Sequence, residues 1–198
     1  MNQSAETLIH HPTSLLDPLR LEDLFDTPRP TELELGSGDG NFLFEHATAH
    51  PDHNFLGVER LLGRLRKLEK KARRAGLTNL RLLRIEARYL VTYLLPPAAF
   101  SALHIYFPDP WPKEKHARHR LINPAFTALA ARILAPRATL HLRTDDLKYF
   151  AQMQAAFTAT PFNPVDTPPA LAARKTDFEK EFNADGRPTL SLSLQLGH

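Results

Sequence analysis

Cysteine is absent from this chain of 198 residues. Without thiols, disulfide bonds, thiolate metal sites and a cysteine nucleophile are all excluded. No apolar run approaches the roughly 18 residues of a membrane span, and the first residues lack the basic and apolar regions of a secretory leader. The sequence therefore predicts a cytoplasmic protein that enters no membrane and performs no redox chemistry on sulfur.

Acidic residues are scarce in one part of the chain. Residues 60–120 contain 15 Lys and Arg against four Asp and Glu, a local net charge of +11, whereas the remainder carries −8. Such segregation favours a basic face for a polyanion, of which nucleic acid is the commonest. The alternative is a helix surface that only meets solvent.

Apolar segments typical of strands alternate with segments of helical periodicity over most of the chain. The length suits one α/β domain with a full hydrophobic core. The predicted strands are 31–35, 54–59, 80–85, 101–107 and 138–143, and the predicted helices are 41–50, 61–72, 124–134 and 146–157. This order predicts a doubly wound, Rossmann-like and mostly parallel sheet that binds ligands along the carboxyl edge of its strands.

The two ends of the chain depart from this alternation. Residues 1–30 contain four prolines, so we predict a partly ordered arm with flexible parts, followed by a single domain over 31–198. Four more prolines in 160–170 predict a stiff loop. Residues 189–196 alternate strictly between apolar and polar, which predicts an antiparallel strand near the sheet edge.

A glycine-rich turn, Glu34-Leu-Gly-Ser-Gly-Asp-Gly40, separates the first predicted strand from the first predicted helix. Glycines at 36, 38 and 40 leave no Cβ there, so the backbone can bend sharply and a ligand can lie against its amides. The dinucleotide pattern needs a glycine where this chain has Asn41. An acidic residue before G-x-G-x-G fits an S-adenosylmethionine pocket better, and an ordinary strand-to-helix turn is the alternative.

Acidic residues recur at the carboxyl ends of the predicted strands. Glu59 lies 21 residues beyond Gly38, close to the ~20-residue spacing at which a carboxylate meets ribose hydroxyls. Glu86 follows the third strand, where it can accept from an adenine amine or stay solvated. Asp145 stands at the tip of the fifth strand. We expect Glu34, Glu59, Glu86, Asp109 and Asp145 to face one cleft.

Asp109 is enclosed by Pro108 and Pro110 directly after the fourth predicted strand. Two prolines forbid helix or strand continuation and fix the carboxylate rigidly at the ligand edge of the sheet. Trp111 follows at once and can stack on an extruded base or pack against the sheet.

His116 and His119 stand three residues apart in the basic run after Lys113. This spacing resembles a metal site, but no third ligand is evident. We therefore favour RNA contact or solvent for both histidines and predict no metal.

Several motifs in the sequence, taken together, resemble those of a known protein family, although none of them is specific enough alone. The most specific is Phe107-Pro-Asp-Pro-Trp111 with Lys113 and the basic run after it. The others are Glu34–Gly40, Asn54–Glu59, Gly76–Leu80, Thr144-Asp145 and Thr176–Glu179. Over nearly everything after residue 30, the sequence resembles the tRNA (guanine-N7-)-methyltransferase family.

This resemblance implies a class I methyltransferase sheet and a methyl transfer from S-adenosylmethionine to guanine 46 in the tRNA variable loop, leaving S-adenosylhomocysteine. Matched positions imply cofactor binding by Glu34, Gly36, Gly38, Gly40, Glu59, Glu86 and Asp109, with Asp109 also catalytic at the reaction centre. They imply substrate binding by Lys113, Asp145, Thr176, Asp177, Phe178 and Glu179. The partner is tRNA, the protein is a monomer or weak homodimer, and no partner subunit is required as far as the sequence shows.

The chain departs from the family pattern at three places. Glu86 stands where the family usually has aspartate, and Pro112 stands where histidine is common. The usual aromatic residue near the C-terminus is also missing. These departures concern the adenine contact, the substrate loop and the role of the last strand.

The chemistry agrees with an N7 acceptor. Guanine N7 has a lone pair and no proton, so the reaction needs alignment more than a general base, and Asp109 can stabilise the developing positive charge.

Methylation of an exocyclic amine is the alternative within enzymes, although those families usually place two prolines together. A nucleic-acid binding module with a vestigial cofactor fold is another alternative. A nicotinamide dehydrogenase fits worst, because Asn41 breaks its glycine pattern and no catalytic Tyr-Lys pair is apparent.

Overall fold

The computed structural model describes residues 7–198, apart from the side chain of Glu114. The chain divides into two compact units, Met1–Pro96 (unit 1) and Pro97–His198 (unit 2). Within residues 7–198, no helix is both long enough and apolar enough to cross a membrane.

Unit 1 is built on four parallel strands, and two of them are buried along their whole length. The strands are β1 (Ile9–His10), β2 (Thr31–Leu35), β3 (Asn54–Val58) and β4 (Leu80–Leu83), in the spatial order β1-β4-β3-β2. The helices are α1 (Asn41–Ala49), α2 (Leu62–Arg74) and α3 (Ala87–Tyr89), with a 3₁₀ turn at Leu21–Asp23 and a π-helical turn at Leu90–Leu94. Every residue of β2 and β3 is buried, as is typical of strands in a parallel sheet, although β2 includes the acids Glu32 and Glu34.

The N-terminal arm is held on unit 1 over part of its length. Ile9 and His10 pair with Leu82 and Leu83 of β4, and the amide of Leu19 donates to the Leu94 carbonyl at 2.8 Å. These contacts explain the ordered part of the arm. A domain division at residue 30 stays a prediction.

Helix α2 packs on unit 1 through an apolar stripe. Leu65, Leu68 and Ala72 are completely buried, and Gly76 ends the helix in the left-handed conformation at φ 69°. Leu61 was predicted on the same stripe, but it is exposed because it is the cap residue that precedes the helix.

Unit 2 contains a parallel pair of strands followed by antiparallel ones. The strands are β5 (Phe100–Tyr106), β6 (Leu134–Thr144), β7 (Phe162–Val165) and β8 (Leu190–Leu196), in the order β5-β6-β8-β7. The helices are α4 (Pro124–Ile133), α5 (Leu147–Ala156), α6 (Pro169–Ala173) and α7 (Asp177–Ala184), with a 3₁₀ segment at Glu114–His119. β5 and β6 are parallel, whereas β8 is antiparallel to β6 and β7. The predicted α/β fold, mostly parallel with an antiparallel C-terminal strand, is confirmed.

One prediction for unit 2 is wrong and another is confirmed. Residues 160–170 are not one stiff loop, because 162–165 form β7 and α6 begins at Pro169. β8 is antiparallel and lies next to the outermost strand, β7, so the prediction of an antiparallel strand near the sheet edge is confirmed. A proline such as Pro164 is tolerated in an outer strand because its missing N–H removes no bond that a further strand would need.

Two glycines of unit 1 give a matched test of its packing. A Cβ at Gly57 in β3 would lie 2.6 Å from Leu43 Cδ2 and 3.0 Å from Leu82 Cδ2, and both leucines are fully buried. Gly57→Ala is therefore expected to lower the free energy of unfolding by about 1–3 kcal/mol through overpacking. Gly63 in α2 has nothing within 4 Å of a Cβ, so Gly63→Ala is expected to raise it by about 0.5 kcal/mol. Chemical unfolding midpoints measure both, and equal midpoints would contradict the packing of β3.

Candidate active site

The glycine turn between β2 and α1 needs glycine at all three positions. Gly36, Gly38 and Gly40 have φ of 82°, 56° and 79°, in the left-handed region that other residues rarely adopt. The carbonyl of Val58, at the end of β3, accepts from the amides of Gly36 at 2.8 Å and Ser37 at 2.9 Å. The neighbouring strand therefore fixes where the turn begins.

The outer two glycines of the turn meet different surroundings. A Cβ at Gly36 would touch nothing within 4 Å, so the backbone there is open to a ligand. A Cβ at Gly40 would clash with the side chain of Leu68, so this glycine lets α2 pack against the turn. Gly40 thus has a packing role beside the predicted cofactor role.

Glu59 lies beside the turn at the end of β3 and is 8% exposed. Its Oε2 accepts from the amide of Gly38 at 3.1 Å, and its Oε1 accepts from the amide of Leu61 at 2.8 Å. Arg64 Nη1 lies 3.9 Å from Oε2. Because an ionised carboxylate has about four acceptor sites, Glu59 keeps capacity for ribose hydroxyls while it orders the turn.

Two buried polar groups complete this end of unit 1. Glu34, the second-last residue of β2, is 2% exposed. The hydroxyl of Ser37 is buried and has no hydrogen-bond partner among residues 7–198. A buried unsatisfied hydroxyl in a native fold calls for a ligand or water. Together with the open backbone at Gly36, it shows that these residues fit a polar cofactor.

Glu86 has a structural role that the sequence analysis missed. Its two carboxylate oxygens accept from the amides of Arg88 at 3.0 Å and Tyr89 at 2.7 Å, which caps the start of α3. The side chain is exposed. Contact with an adenine amine stays a prediction, and it would have to share the carboxylate with this cap.

In unit 2, Asp109 lies in a loop whose two ends are strained. Phe107 and Trp111 are bulky residues with φ of 51° and 42°. This left-handed conformation costs each of them on the order of 1–3 kcal/mol. Asp109 itself is exposed, and its carboxylate has no hydrogen-bond or ion-pair partner among the side chains that the structure describes. Strain of this kind persists only where the surroundings impose it, and it clusters at functional sites.

Arg120 helps to hold the strained loop around Asp109, a role that the sequence did not reveal. The side chain is 6% exposed, and its Nε donates to the Pro110 carbonyl at 2.6 Å. Its Nη2 reaches the Trp111 carbonyl at 3.5 Å, and its Nη1 donates to Gln152 Oε1 at 2.7 Å. The guanidinium also lies 5.1 Å from the ring centre of Tyr149. In sequence, Arg120 is one cation of a basic run, so only its burial distinguishes it.

The aromatic rings after Asp109 form a surface cluster. The ring centre of Trp111 is 5.2 Å from that of His119 and 5.9 Å from that of His116. Trp111 is 39% exposed, and Lys113 is also exposed. Among the described residues, neither histidine belongs to a group of three candidate metal ligands.

The predicted substrate residues at the start of α7 divide into buried and exposed ones. Thr176 Oγ1 accepts from the amide of Glu179 at 3.0 Å, which caps the helix. Glu179 is 3% exposed, and its Oε2 lies 2.9 Å from Arg143 Nη1. Asp177 and Phe178 are exposed. Thr176 and Glu179 therefore hold the helix end that presents the other two, and all four roles in substrate binding stay predictions.

Asp145 is also paired in unit 2. Its Oδ2 lies 2.7 Å from Arg187 Nη1, and the Arg187 guanidinium lies 3.9 Å from the ring centre of Phe182. Phe182 in turn contacts Phe107 edge to face at 5.5 Å. Asp145 is thus linked through Arg187 and Phe182 to the strained loop, and its contact with substrate stays a prediction.

The only tryptophan of the chain, Trp111, allows a local test of the loop. Arg120→Met removes the donors to Pro110 and Trp111, so we expect faster collisional quenching of Trp111 fluorescence and a free energy of unfolding lower by about 2–4 kcal/mol. Arg118→Met is the matched control, because Arg118 is exposed and makes no hydrogen bond or ion pair within the described residues. Equal quenching in both variants would show that Arg120 does not hold the loop.

The sequence was compared with protein families and curated proteins. Residues 28–192 match the model of a family described as “Putative methyltransferase”. The tRNA (guanine-N(7)-)-methyltransferase of Halorhodospira halophila is 38% identical over 182 residues, which cover 89% of this chain and 79% of that protein. Its counterpart in Chromohalobacter salexigens is 38% identical over 152 residues, or 77% of this chain and 62% of that protein. The chain therefore spans less than two thirds of the second relative.

Solved structures agree on the fold. The 16S rRNA methyltransferase KamB has a TM-score of 0.66 at 17% identity, over 90% of this chain and 93% of that one. TrmN from Thermus thermophilus has a TM-score of 0.59 at 21% identity, over 89% of this chain and 47% of that one. Identities this low show the fold alone, a class I methyltransferase fold. The two relatives described above are 38% identical to this chain, and the family model matches most of its length. This chain therefore belongs to the tRNA (guanine-N(7)-)-methyltransferase family.

Proposed function

We propose that this protein transfers a methyl group from S-adenosylmethionine to N7 of guanine 46 in the variable loop of tRNA, in the cytoplasm. The observation that carries this proposal is the Asp109 carboxylate, exposed and held between two strained residues. The names of its relatives support tRNA as the substrate and guanine N7 as the acceptor.

The glycine turn of unit 1 is our proposed cofactor site. Gly36 offers an open backbone, Ser37 offers a buried hydroxyl, and Glu59 offers an acceptor for ribose hydroxyls at the end of β3. Glu34 and Glu86 are the further cofactor residues that the resemblance implies. S-adenosylmethionine, when bound, supplies an electrophilic methyl group on a sulfonium.

Asp109 is our proposed catalytic residue. Guanine N7 attacks through a lone pair and loses no proton, so no general base is needed and alignment of the two reactants decides the rate. The purine gains positive charge in the transition state. A carboxylate on a backbone that is already held stabilises that charge with little reorganisation of the loop, and Asp109 has no partner in the described part of the chain that would neutralise it.

Unit 2 is our proposed substrate unit. Lys113 is an exposed cation after the Asp109 loop and suits a backbone phosphate. The exposed ring of Trp111 suits stacking on an unpaired base. Asp177 and Phe178 at the exposed start of α7, with Asp145, are the further residues proposed to contact tRNA.

The direct test is transfer of labelled methyl from S-adenosylmethionine to unmodified tRNA transcripts, followed by chemical cleavage at N7-methylguanine. We expect cleavage at position 46 in the variable loop. A transcript with adenine at that position is the matched control and should take up no label. Label without cleavage would indicate an exocyclic amine as acceptor, and RNA affinity without cofactor binding would indicate a binding module; either result would contradict the proposal.

Asp109→Asn tests the proposed charge stabilisation. The amide keeps the shape but not the charge, so methyl transfer at saturating substrate is expected to slow by about 10²–10³-fold, with cofactor affinity nearly unchanged. Asp166→Asn, at an exposed acid of unit 2 that is not one of the proposed site residues, is the control and should retain normal turnover. Lost cofactor affinity with normal turnover in Asp109→Asn would argue against the assignment. Single-turnover kinetics and calorimetric cofactor titration measure the two quantities.

A further inference from the structure

Helix α2 carries far more positive charge than its fold requires. Its 13 residues include one acid, Glu69, and seven cations: Arg64, Arg66, Lys67, Lys70, Lys71, Arg73 and Arg74. The apolar stripe of the helix is fully buried, so the cations occupy the remaining surface. They divide into two stripes with different surroundings.

The inner stripe faces the glycine turn and α1. Lys67 Nζ lies 2.9 Å from Asp39 Oδ2, and Arg64 Nε lies 3.8 Å from Asp39 Oδ1. Lys71 donates to Asn41 Oδ1 and lies 4.3 Å from the ring centre of Phe44. These three cations are therefore accounted for by contacts within unit 1.

The outer stripe consists of Arg66, Lys70, Arg73 and Arg74. All four are exposed, and none has an ion-pair partner within residues 7–198. The acid between them, Glu69, accepts instead from Thr7 Oγ1 at 2.5 Å and from the amide of Leu8 at 2.9 Å. Like charges spaced four residues apart destabilise a helix. Arg66 and Lys70 form one such pair, and Lys70 and Arg74 form another. The helix dipole favours cations in the last turn, but Arg66 lies too far from that end to benefit.

The outer stripe surrounds a surface pocket of about 390 Å³, which among residues 7–198 is lined by these four cations and Glu69. From Arg66 to Arg74 the stripe is about 12 Å long at 1.5 Å per residue, enough for several consecutive phosphates of one strand. None of the described residues that line the pocket has an aromatic ring on which a base would stack. Helices that bind membranes expose apolar residues, whereas Leu65, Leu68 and Ala72 are buried.

We propose that the outer stripe of α2 is a docking surface for the sugar-phosphate backbone of tRNA. This inference rests on the proposed function, which gives the protein an RNA substrate. Three of the four cations are arginines, whose planar fork binds a phosphate through two parallel bonds. Backbone contacts of this kind position an RNA without reading its sequence. Unit 1, which contains the proposed cofactor site, would thus also bind the tRNA backbone. This binding would not depend on which base is methylated.

The test compares two variants that each remove one arginine and one lysine. Arg66→Gln/Lys70→Gln removes two charges from the outer stripe and keeps good helix formers. Arg137→Gln/Lys148→Gln removes two exposed charges from unit 2 and serves as the control. The dissociation constant for unmodified tRNA is measured over a series of KCl concentrations. S-adenosylhomocysteine affinity and the methylation rate at saturating tRNA are measured on the same samples.

We expect the outer-stripe variant to bind tRNA about tenfold more weakly near 0.1 M KCl and to lose roughly 1.4–1.8 from the slope of log affinity against log salt. Its cofactor affinity and saturating rate should match the unaltered protein, and the control should change tRNA affinity less than twofold. An unchanged slope, or an equal loss in the control, overturns the docking surface. Binding of the unaltered protein to anionic vesicles with the same dependence on Arg66 and Lys70 overturns it in favour of a lipid surface. Failure of the proposed function would be seen separately, as an unaltered protein that methylates no tRNA.

Discussion

The carboxylate of Glu59 holds together the two turns on which unit 1 depends. One oxygen accepts from Gly38 in the glycine turn, and the other accepts from Leu61 at the start of α2. Val58, one residue earlier, accepts from Gly36 and Ser37. Two adjacent residues at the end of one buried strand therefore set the conformation of the proposed cofactor site. Because both contacts are to backbone amides, the arrangement tolerates changes in neighbouring side chains.

In unit 2, the loop that carries Asp109 has a backbone conformation that is unfavourable in itself and must be stabilised by its surroundings. Phe107 and Trp111 adopt left-handed conformations that cost of order 1–3 kcal/mol each. The compensation comes from a buried arginine, Arg120, whose hydrogen bonds to the loop carbonyls are charge-assisted and hence among the stronger kind. The backbone that carries Asp109 is therefore held before any substrate arrives, which suits the electrostatic role that we propose for its carboxylate.

Local patterns in the sequence were enough to predict most elements of the fold. Strands such as Thr31–Leu35 and the helix from Asn41 follow from apolar periodicity and from glycine, both of which act over a few residues. β7 was missed because its residues, Pro164 among them, form a strand only by pairing with β8. Arg120 and Glu179 look like ordinary surface charges in sequence, since burial is a property of the tertiary fold. The cap at Glu86 could have been found, because an acceptor before a helical turn is a local signal.

The two stripes of α2 would suit the two ligands that we propose, a cationic cofactor and a polyanionic substrate. A sulfonium close to several free lysines and arginines would be repelled, so cations beside the glycine turn must be neutralised. Asp39 does this for Lys67 and Arg64, and Glu59 lies within 3.9 Å of Arg64 as well. Among residues 7–198, no acid forms an ion pair with the outer stripe, and Oε1 of Glu69 accepts from Thr7 and Leu8 of the N-terminal arm. The arm thus holds one oxygen of the Glu69 carboxylate, and the four outer cations have no ion-pair partner in the described part of the chain, which is the arrangement that our proposed docking of a phosphate backbone requires.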